Sequence, residues 1–249
     1  VVVLEHMDSA GRKLLLTGSG KCNFTNMLLS RRREGAELDL HTVVMEHFYG
    51  DPAFAERAIT AFDAEDTVAF FRELGVEPAY RSYPYDDGIY VYPSSMESRS
   101  MLTALLSECE RLGVQLAFSH KVLDISSFDD FCSIDLAASE AASPDHKAAS
   151  RPWMVTTDRG DYAADAVIFA AGSNAAPRTG SDSSVYPLIK KLGHGFTSYL
   201  PALCGLKPRD GVPDELRGVR AEAVVSLHVY SDNDMMLYQS RGEVQLGSE

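Results

Sequence analysis

The sequence predicts an α/β fold built on a mainly parallel sheet, followed by part of a second, β-rich domain. Three observations carry this. Val1-Val2-Val3-Leu4 is a continuous aliphatic run of the kind that parallel sheets bury on both faces, and it ends in a carboxylate, Glu5. A second such run, residues 165–169, ends in Ala170-Ala171-Gly172, where small side chains let backbone pass close to another group. Between the two, helical periodicity alternates with short strands, whereas from Pro201 onward only strands are indicated. The boundary is therefore placed at residue 200: residues 1–200 form the first domain, with a helical insertion around 40–92, and 201–249 begin the second.

Each element has a local reason. Residues 27–50, with Arg31-Arg32-Arg33 and an acidic patch, read as a solvated loop and a short helix. Asp63 caps the next helix, Asp66 sits in its first turn, Val68, Phe70, Phe71 and Leu74 form its apolar face, and Gly75 ends it. A tyrosine-rich stretch follows, in which Asp87-Gly88 predicts a hairpin turn and residues 89–92 a strand stopped by Pro93. Ser94 or Ser95 caps a second helix, with Met101, Leu102, Leu105, Leu106, Cys109 and Leu112 at helical spacing and Gly113 as the stop. Residues 114–118 and 121–125 are strands. Residues 132–136 and 153–157 read as hairpin partners around an Ala/Ser-rich loop, 137–152. Residues 165–172 form a buried strand, 186–192 a helix closed by Gly193, and 221–230, 235–239 and 242–246 the strands of the second domain.

The chain has 249 residues, 45% hydrophobic and 24% charged, ordinary values for a globular protein. With 23 basic against 36 acidic side chains, the formal charge of −13 argues against nucleic acid or an anionic membrane as partner, because both demand a basic face. No apolar run approaches the roughly 20 residues of a membrane span, and no secretory signal precedes the first strand. A cytoplasmic protein acting on a small molecule is expected. Cys22, Cys109, Cys132 and Cys204 are dispersed, without a CxxC pair or a Cys/His cluster at ligand spacing, so reduced thiols and no metal are expected.

The stretch GRKLLLTGSGKCNFTN, residues 11–26, requires a chemical explanation. Gly18 and Gly20 remove two β-carbons around Ser19, which lets backbone amides approach a ligand, and Lys21 adds positive charge beside them. A phosphate fits that description. A P-loop does not: Leu15 occupies its first glycine position, and Cys22 replaces the hydroxyl that holds magnesium. Cys22, Asn23, Thr25 and Asn26 add a thiol, two amides and a hydroxyl, more hydrogen-bonding capacity than a plain turn needs, although a capped turn leading into a helix also accounts for them. In dinucleotide-binding βαβ units the second strand ends in an acid that accepts from a ribose, and Glu5 stands at that position. The chain thus starts inside what reads as a second strand, and the expectation is of a piece lacking the first strand, its glycine turn and its helix.

These blocks, with FAAG and PRTGS further on, resemble the BaiN-like, aminoacetone-oxidase-like family of FAD-dependent oxidoreductases. The resemblance implies a Rossmann-like FAD-binding domain interrupted by a second domain. It implies a GSGKCN turn lying along the FAD pyrophosphate and flavin, placing Gly18, Ser19, Gly20, Lys21, Cys22, Asn23 and Thr25 at the cofactor, with Arg12 and Lys13 of the GRKLL block beside them. Val122 would read the adenine through its backbone. Ala170, Ala171 and Gly172 stand for the family's ATG, and Thr179 and Gly180 belong to its PKTGS segment. Lys21 replaces a more usual arginine, no arginine follows Gly88, and Ser183-Ser184-Val185 replaces a glycine-rich run.

Two functions follow. One is an FAD-dependent oxidoreductase moving a hydride or electron pair between a small organic substrate and flavin, with NAD(P)H as a candidate electron donor. The other is a non-catalytic nucleotide-binding or interaction module that kept the cradle and lost the reaction. No side chain is fixed by sequence as a general acid or base. Cys22 has no resolving partner a few residues away, so a dithiol relay is not expected.

Overall fold

A computed structural model describes residues 1–33, 36–37, 39–48, 50–83, 86–127, 153–196, 205, 212–229 and 235–246. The chain divides into two compact units: Val1–Arg81 with Ile89–Ser198, and Ser82–Gly88 with Tyr199–Glu249.

In the first unit, strand β1 (Val2–Glu5) pairs in parallel with β7 (Gln115–Phe118) in the register Val2↔Gln115 to Glu5↔Phe118. This is the parallel pair of a Rossmann-like α/β domain, and it leaves Glu5 at the carboxyl edge, where such sheets place their ligands. The strand is only partly covered, with Val2 and Val3 each 43% exposed, because β7 is its one ladder neighbour among the described residues.

Around this pair, β2 (Thr25–Asn26), β6 (Asp86–Pro93) and β5 (Pro78–Tyr83) form a sheet in the order β2-β6-β5. Strands β8 (Val122–Ser127), β9 (Trp153–Thr157) and β10 (Gly160–Ala164) form an antiparallel sheet with β9 central. β3 (Arg32–Arg33) and β4 (Ala36–Glu37) make a two-residue ladder. The α-helices among the described residues are α1 (Leu40–His47), α2 (Pro52–Ala61), α3 (Ala64–Glu73), α4 (Ser98–Arg111) and α5 (Tyr186–Lys191). Cys22, Val76 and Met101 form a buried core, packed by Leu14, Phe24, Phe71 and Ala104. In the second unit, β11 (Arg220–His228) and β12 (Met236–Gln245) form an antiparallel ribbon.

Helix α3 forms as its sequence requires: the Asp63 side chain accepts from the Asp66 amide at 3.0 Å, and the Asp66 side chain accepts from the Asp63 amide at 3.1 Å, closing a capping box. Helix α1 is the short helix expected within 27–50. Helix α2, capped by Asp51 with Pro52 in its first turn, has the capping signature but was not anticipated.

Four expectations are corrected. Residues 165–172 form no strand: the ladder ends at Ala164, and Ile168 is 89% exposed. Local apolarity favours an extended chain there, but a strand exists only where a neighbour supplies the hydrogen-bond ladder. Asp87-Gly88 lies inside β6 and forms no hairpin turn; the β-forming tyrosines carry the strand past the turn-type dipeptide. Helix α4 starts at Ser98, because Pro93–Met96 makes a tight turn (Met96 N–H to Pro93 carbonyl, 2.8 Å), and Ser95 accepts from the Glu97 amide instead of capping the helix. The strands expected at 235–239 and 242–246 are one strand, β12. The hairpin partner at 132–136 and the loop at 137–152 lie outside the described residues; β9 pairs with β8 and β10.

Candidate functional site

The predicted site residues fall into two groups, the second of them at the carboxyl end of β1. The first is the glycine turn. A 3-10 turn, Leu14–Gly20, breaks at Thr17 (φ −66°, ψ 146°), and the chain passes through the left-handed region at Gly18 (φ 53°, ψ 34°) and Ser19 (φ 55°, ψ 41°). Gly18 is required twice over: besides its positive φ, a β-carbon there would stand 2.7 Å from the Asn23 amide nitrogen. The turn is closed by the Lys21 amide donating to the Gly18 carbonyl (3.1 Å) and the Cys22 amide donating to the Thr17 carbonyl (3.0 Å). Gly18, Ser19 and Lys21 are exposed, while Cys22, also at positive φ (57°), is 1% exposed and packs in the core. The motif then runs into β2, where the Phe24 amide donates to the Val91 carbonyl and Thr25 and Asn26 stand opposite Val91 and Tyr90. Lys13 is exposed beside the turn, and Arg12 reaches Asp8 at 3.4 Å.

The second group gathers Glu5, Gly172, Thr179 and Gly180. Glu5 Oε1 accepts from the Met7 amide at 2.8 Å and lies 3.4 Å from His6 Nδ1, while His6 Nε2 is 3.9 Å from Asp182. A β-carbon on Gly180 would meet Met7 Cγ at 3.0 Å and His6 Cε1 at 3.1 Å, so the PRTGS segment seats directly on the residues that follow β1. One on Gly172 would meet Ser181 Oγ at 2.7 Å, and that buried hydroxyl donates to the Ser173 carbonyl at 2.8 Å. The end of FAAG and the TGS segment are thereby locked together. The Thr179 hydroxyl donates to the Ala176 carbonyl (2.8 Å), and Ala170 and Ala171 lie exposed on the approach. The Ser184 hydroxyl and amide hold the Asp182 carboxyl below the usual carboxylate range, with His6 assisting.

On the other side, the Ser119 amide donates to the Met7 carbonyl and the His120 amide to the Glu5 carbonyl, both at 2.9 Å, joining the end of β7 to the end of β1. Val122 follows at the start of β8, half-buried opposite Thr157. Sequence reasoning missed His6, Asp182 and Ser98, which reach the site only through the fold. Among the described residues, no group of three or more His, Cys, Asp or Glu side chains is placed to hold a metal ion.

A parallel strand tipped by a carboxylate, with a glycine turn behind it and a small-residue segment returning alongside, defines a Rossmann-like domain. The chain belongs to the HI0933-like protein Rossmann domain family, whose pattern matches residues 1–245. It is also similar to the 3-dehydro-bile acid delta(4,6)-reductase of Clostridium scindens, with 28% identity over 246 residues that cover 99% of this chain and 50% of that protein. The chain therefore spans about half the length of this curated relative. No helix among the described residues is long and apolar enough to cross a membrane.

Proposed function

We propose that the chain is the nucleotide-binding part of a cytoplasmic FAD-dependent oxidoreductase that moves a hydride or electron pair between a small organic substrate and flavin, with NAD(P)H as candidate donor. The observation that carries the reading is the turn at Gly18-Ser19, exposed, left-handed and crowded by any β-carbon at residue 18, in a chain whose Glu5 stands at the sheet edge with Gly172 and Gly180 folded against its neighbourhood. A bend of this kind suits the backbone approach of a diphosphate, and Lys21 supplies the charge. Glu5, still an acceptor on its second oxygen, suits a ribose hydroxyl. The reductase activity of the Clostridium scindens relative supports redox chemistry as the class.

FAD, when bound, would supply the electron transfer itself. The chain's own residues bind and orient it. Cys22 takes no redox part in this reading, because its sulfur is buried among Val76 and Met101, away from the exposed face of the turn. Cys22→Ser is expected to cost about 1–2 kcal/mol through the buried hydroxyl, seen as a lowered melting temperature, while flavin stays bound and turnover persists. Loss of turnover with flavin retained would give the thiol a chemical role.

The absorbance spectrum of the protein purified from its complete reading frame tests the proposal. Flavin bands that survive gel filtration support it. A colourless, folded protein that takes up no added FAD would establish the non-catalytic module instead.

A further inference from the structure

We infer that Ser98, the first residue of α4, is a positioning residue for the cofactor turn, an inference that rests on the FAD reading above. Ser98 is 4% exposed, and its hydroxyl donates to the Leu15 carbonyl oxygen at 3.0 Å across 83 residues of sequence. Leu15 is the carbonyl lying under the second glycine: its oxygen is 4.0 Å from where a Gly20 β-carbon would stand. The other end of the same peptide is also pinned, since the Leu16 amide donates to the Lys13 carbonyl at 3.0 Å. One residue earlier, the Thr17 hydroxyl takes the Leu14 carbonyl at 2.6 Å. Both carbonyl oxygens entering the turn are thus held by hydroxyl donors.

The hold matters electrostatically. A carbonyl oxygen carries partial negative charge, and without Ser98 the Leu15 peptide loses the hold at its oxygen and keeps the one at the Leu16 amide; any tilt of that oxygen toward the ligand face of the turn opposes an anionic diphosphate. Ser98 also sits in the middle of a continuous support. Tyr92, just before the tight turn into α4, packs with Cε1 3.6 Å from the β-carbon position of Gly18, and Leu102, one helical turn after Ser98, fills the space a β-carbon on Gly11 would need. Residues 92–102 therefore touch the motif at its start, middle and bend, and Ser98 hydrogen-bonds to its middle. Geometry fixed in this way spares the turn from reorganising when its ligand arrives.

The test is FAD titration of the protein from the complete reading frame, flavin removed, followed by flavin fluorescence, with the melting temperature of the flavin-free form measured alongside. Ser98→Ala is expected to weaken FAD binding about tenfold, the scale of one lost hydrogen bond. Ser98→Thr should restore it, and Ser98→Val, with the shape of threonine but no hydroxyl, should not. If the unmodified protein binds FAD and Ser98→Ala binds it equally, this inference fails while the FAD reading stands. Failure of both hydroxyl-free variants to fold would make Ser98 a structural anchor and overturn the inference as well. If the unmodified protein takes up no FAD, both fall together.

Discussion

Gly18→Ala is expected to destabilise the protein by about 2–3 kcal/mol and to weaken FAD binding by at least about a hundredfold. Two costs combine. A non-glycine residue in the left-handed region pays about 1–2 kcal/mol in backbone strain, and φ at Gly18 is 53°. The second cost is steric: the new methyl group would lie 2.7 Å from the Asn23 amide nitrogen, an atom of the main chain that no rotamer change moves aside. Relief requires Asn23 to shift, and Asn23 leads directly to Phe24, whose amide is held by the Val91 carbonyl at 3.0 Å. Displacement would pass into the core packing of Phe24 on Phe71, whose rings are 5.1 Å apart. Gly20→Ala is the internal control. Gly20 also has positive φ (86°), but its β-carbon would meet nothing closer than the Leu15 oxygen at 4.0 Å, so backbone strain alone applies and the cost should stay near 1 kcal/mol. Thermal melting and FAD titration of the two variants side by side decide the matter, and equal effects would show that the Gly18–Asn23 contact does not govern the turn.

This pair marks how far the sequence could be read. The twin glycines, Lys21 and Glu5 were legible as a nucleotide-type constellation because composition and spacing within a few residues carry that signal. Nothing local separates Gly18 from Gly20; the separation comes from Asn23 folding back, a property of the closed turn. Longer reach was less visible still. The Ser98 hydroxyl finds Leu15 across 83 residues and Arg31 finds Asp63 across 32, and neither serine nor arginine announces its partner. Residues 165–172 misled for the opposite reason. Their apolar run and terminal glycine describe what a strand would contain, but a strand also needs a neighbour, and that is a fact about the sheet. Gly172 in that stretch is instead held against Ser181, without a ladder.

Asp63→Ala is expected to cost about 3 kcal/mol. Asp63 is 3% exposed and its carboxylate does three tasks. It caps α3 through the Asp66 amide at 3.0 Å, and it accepts from both the amide and the Nε of Arg31 at 2.9 and 2.8 Å. Arg31 Nη2 continues to Asp66 at 2.7 Å, so removing Asp63 leaves the guanidinium one carboxylate in place of two and takes the acceptor from two amides at once. Helix α3 carries Phe71, the residue packed on Phe24, so the loss reaches the segment that follows the glycine turn. The same carboxylate sets an acid limit. Burial alone would raise its pKa, but the Arg31 amide and guanidinium and the Asp66 amide outweigh burial and hold it at about 2 against an ordinary 3.8. A depressed folded-state pKa means stability that is complete above the unfolded value near 4 and is lost as pH falls through about 2. The amount at stake is roughly 2 kcal/mol. Arg31 stays charged throughout that window, its own pKa raised by the hydrogen bond to Asp63, so the carboxylate alone titrates within the pair. Asp63→Asn keeps an oxygen for the cap and removes the titration. Urea unfolding between pH 5 and pH 2 should therefore give a flatter acid limb for Asp63→Asn than for the unmodified protein, with the two curves approaching each other near pH 2; parallel limbs would show that the Arg31–Asp63 pair contributes nothing to acid stability.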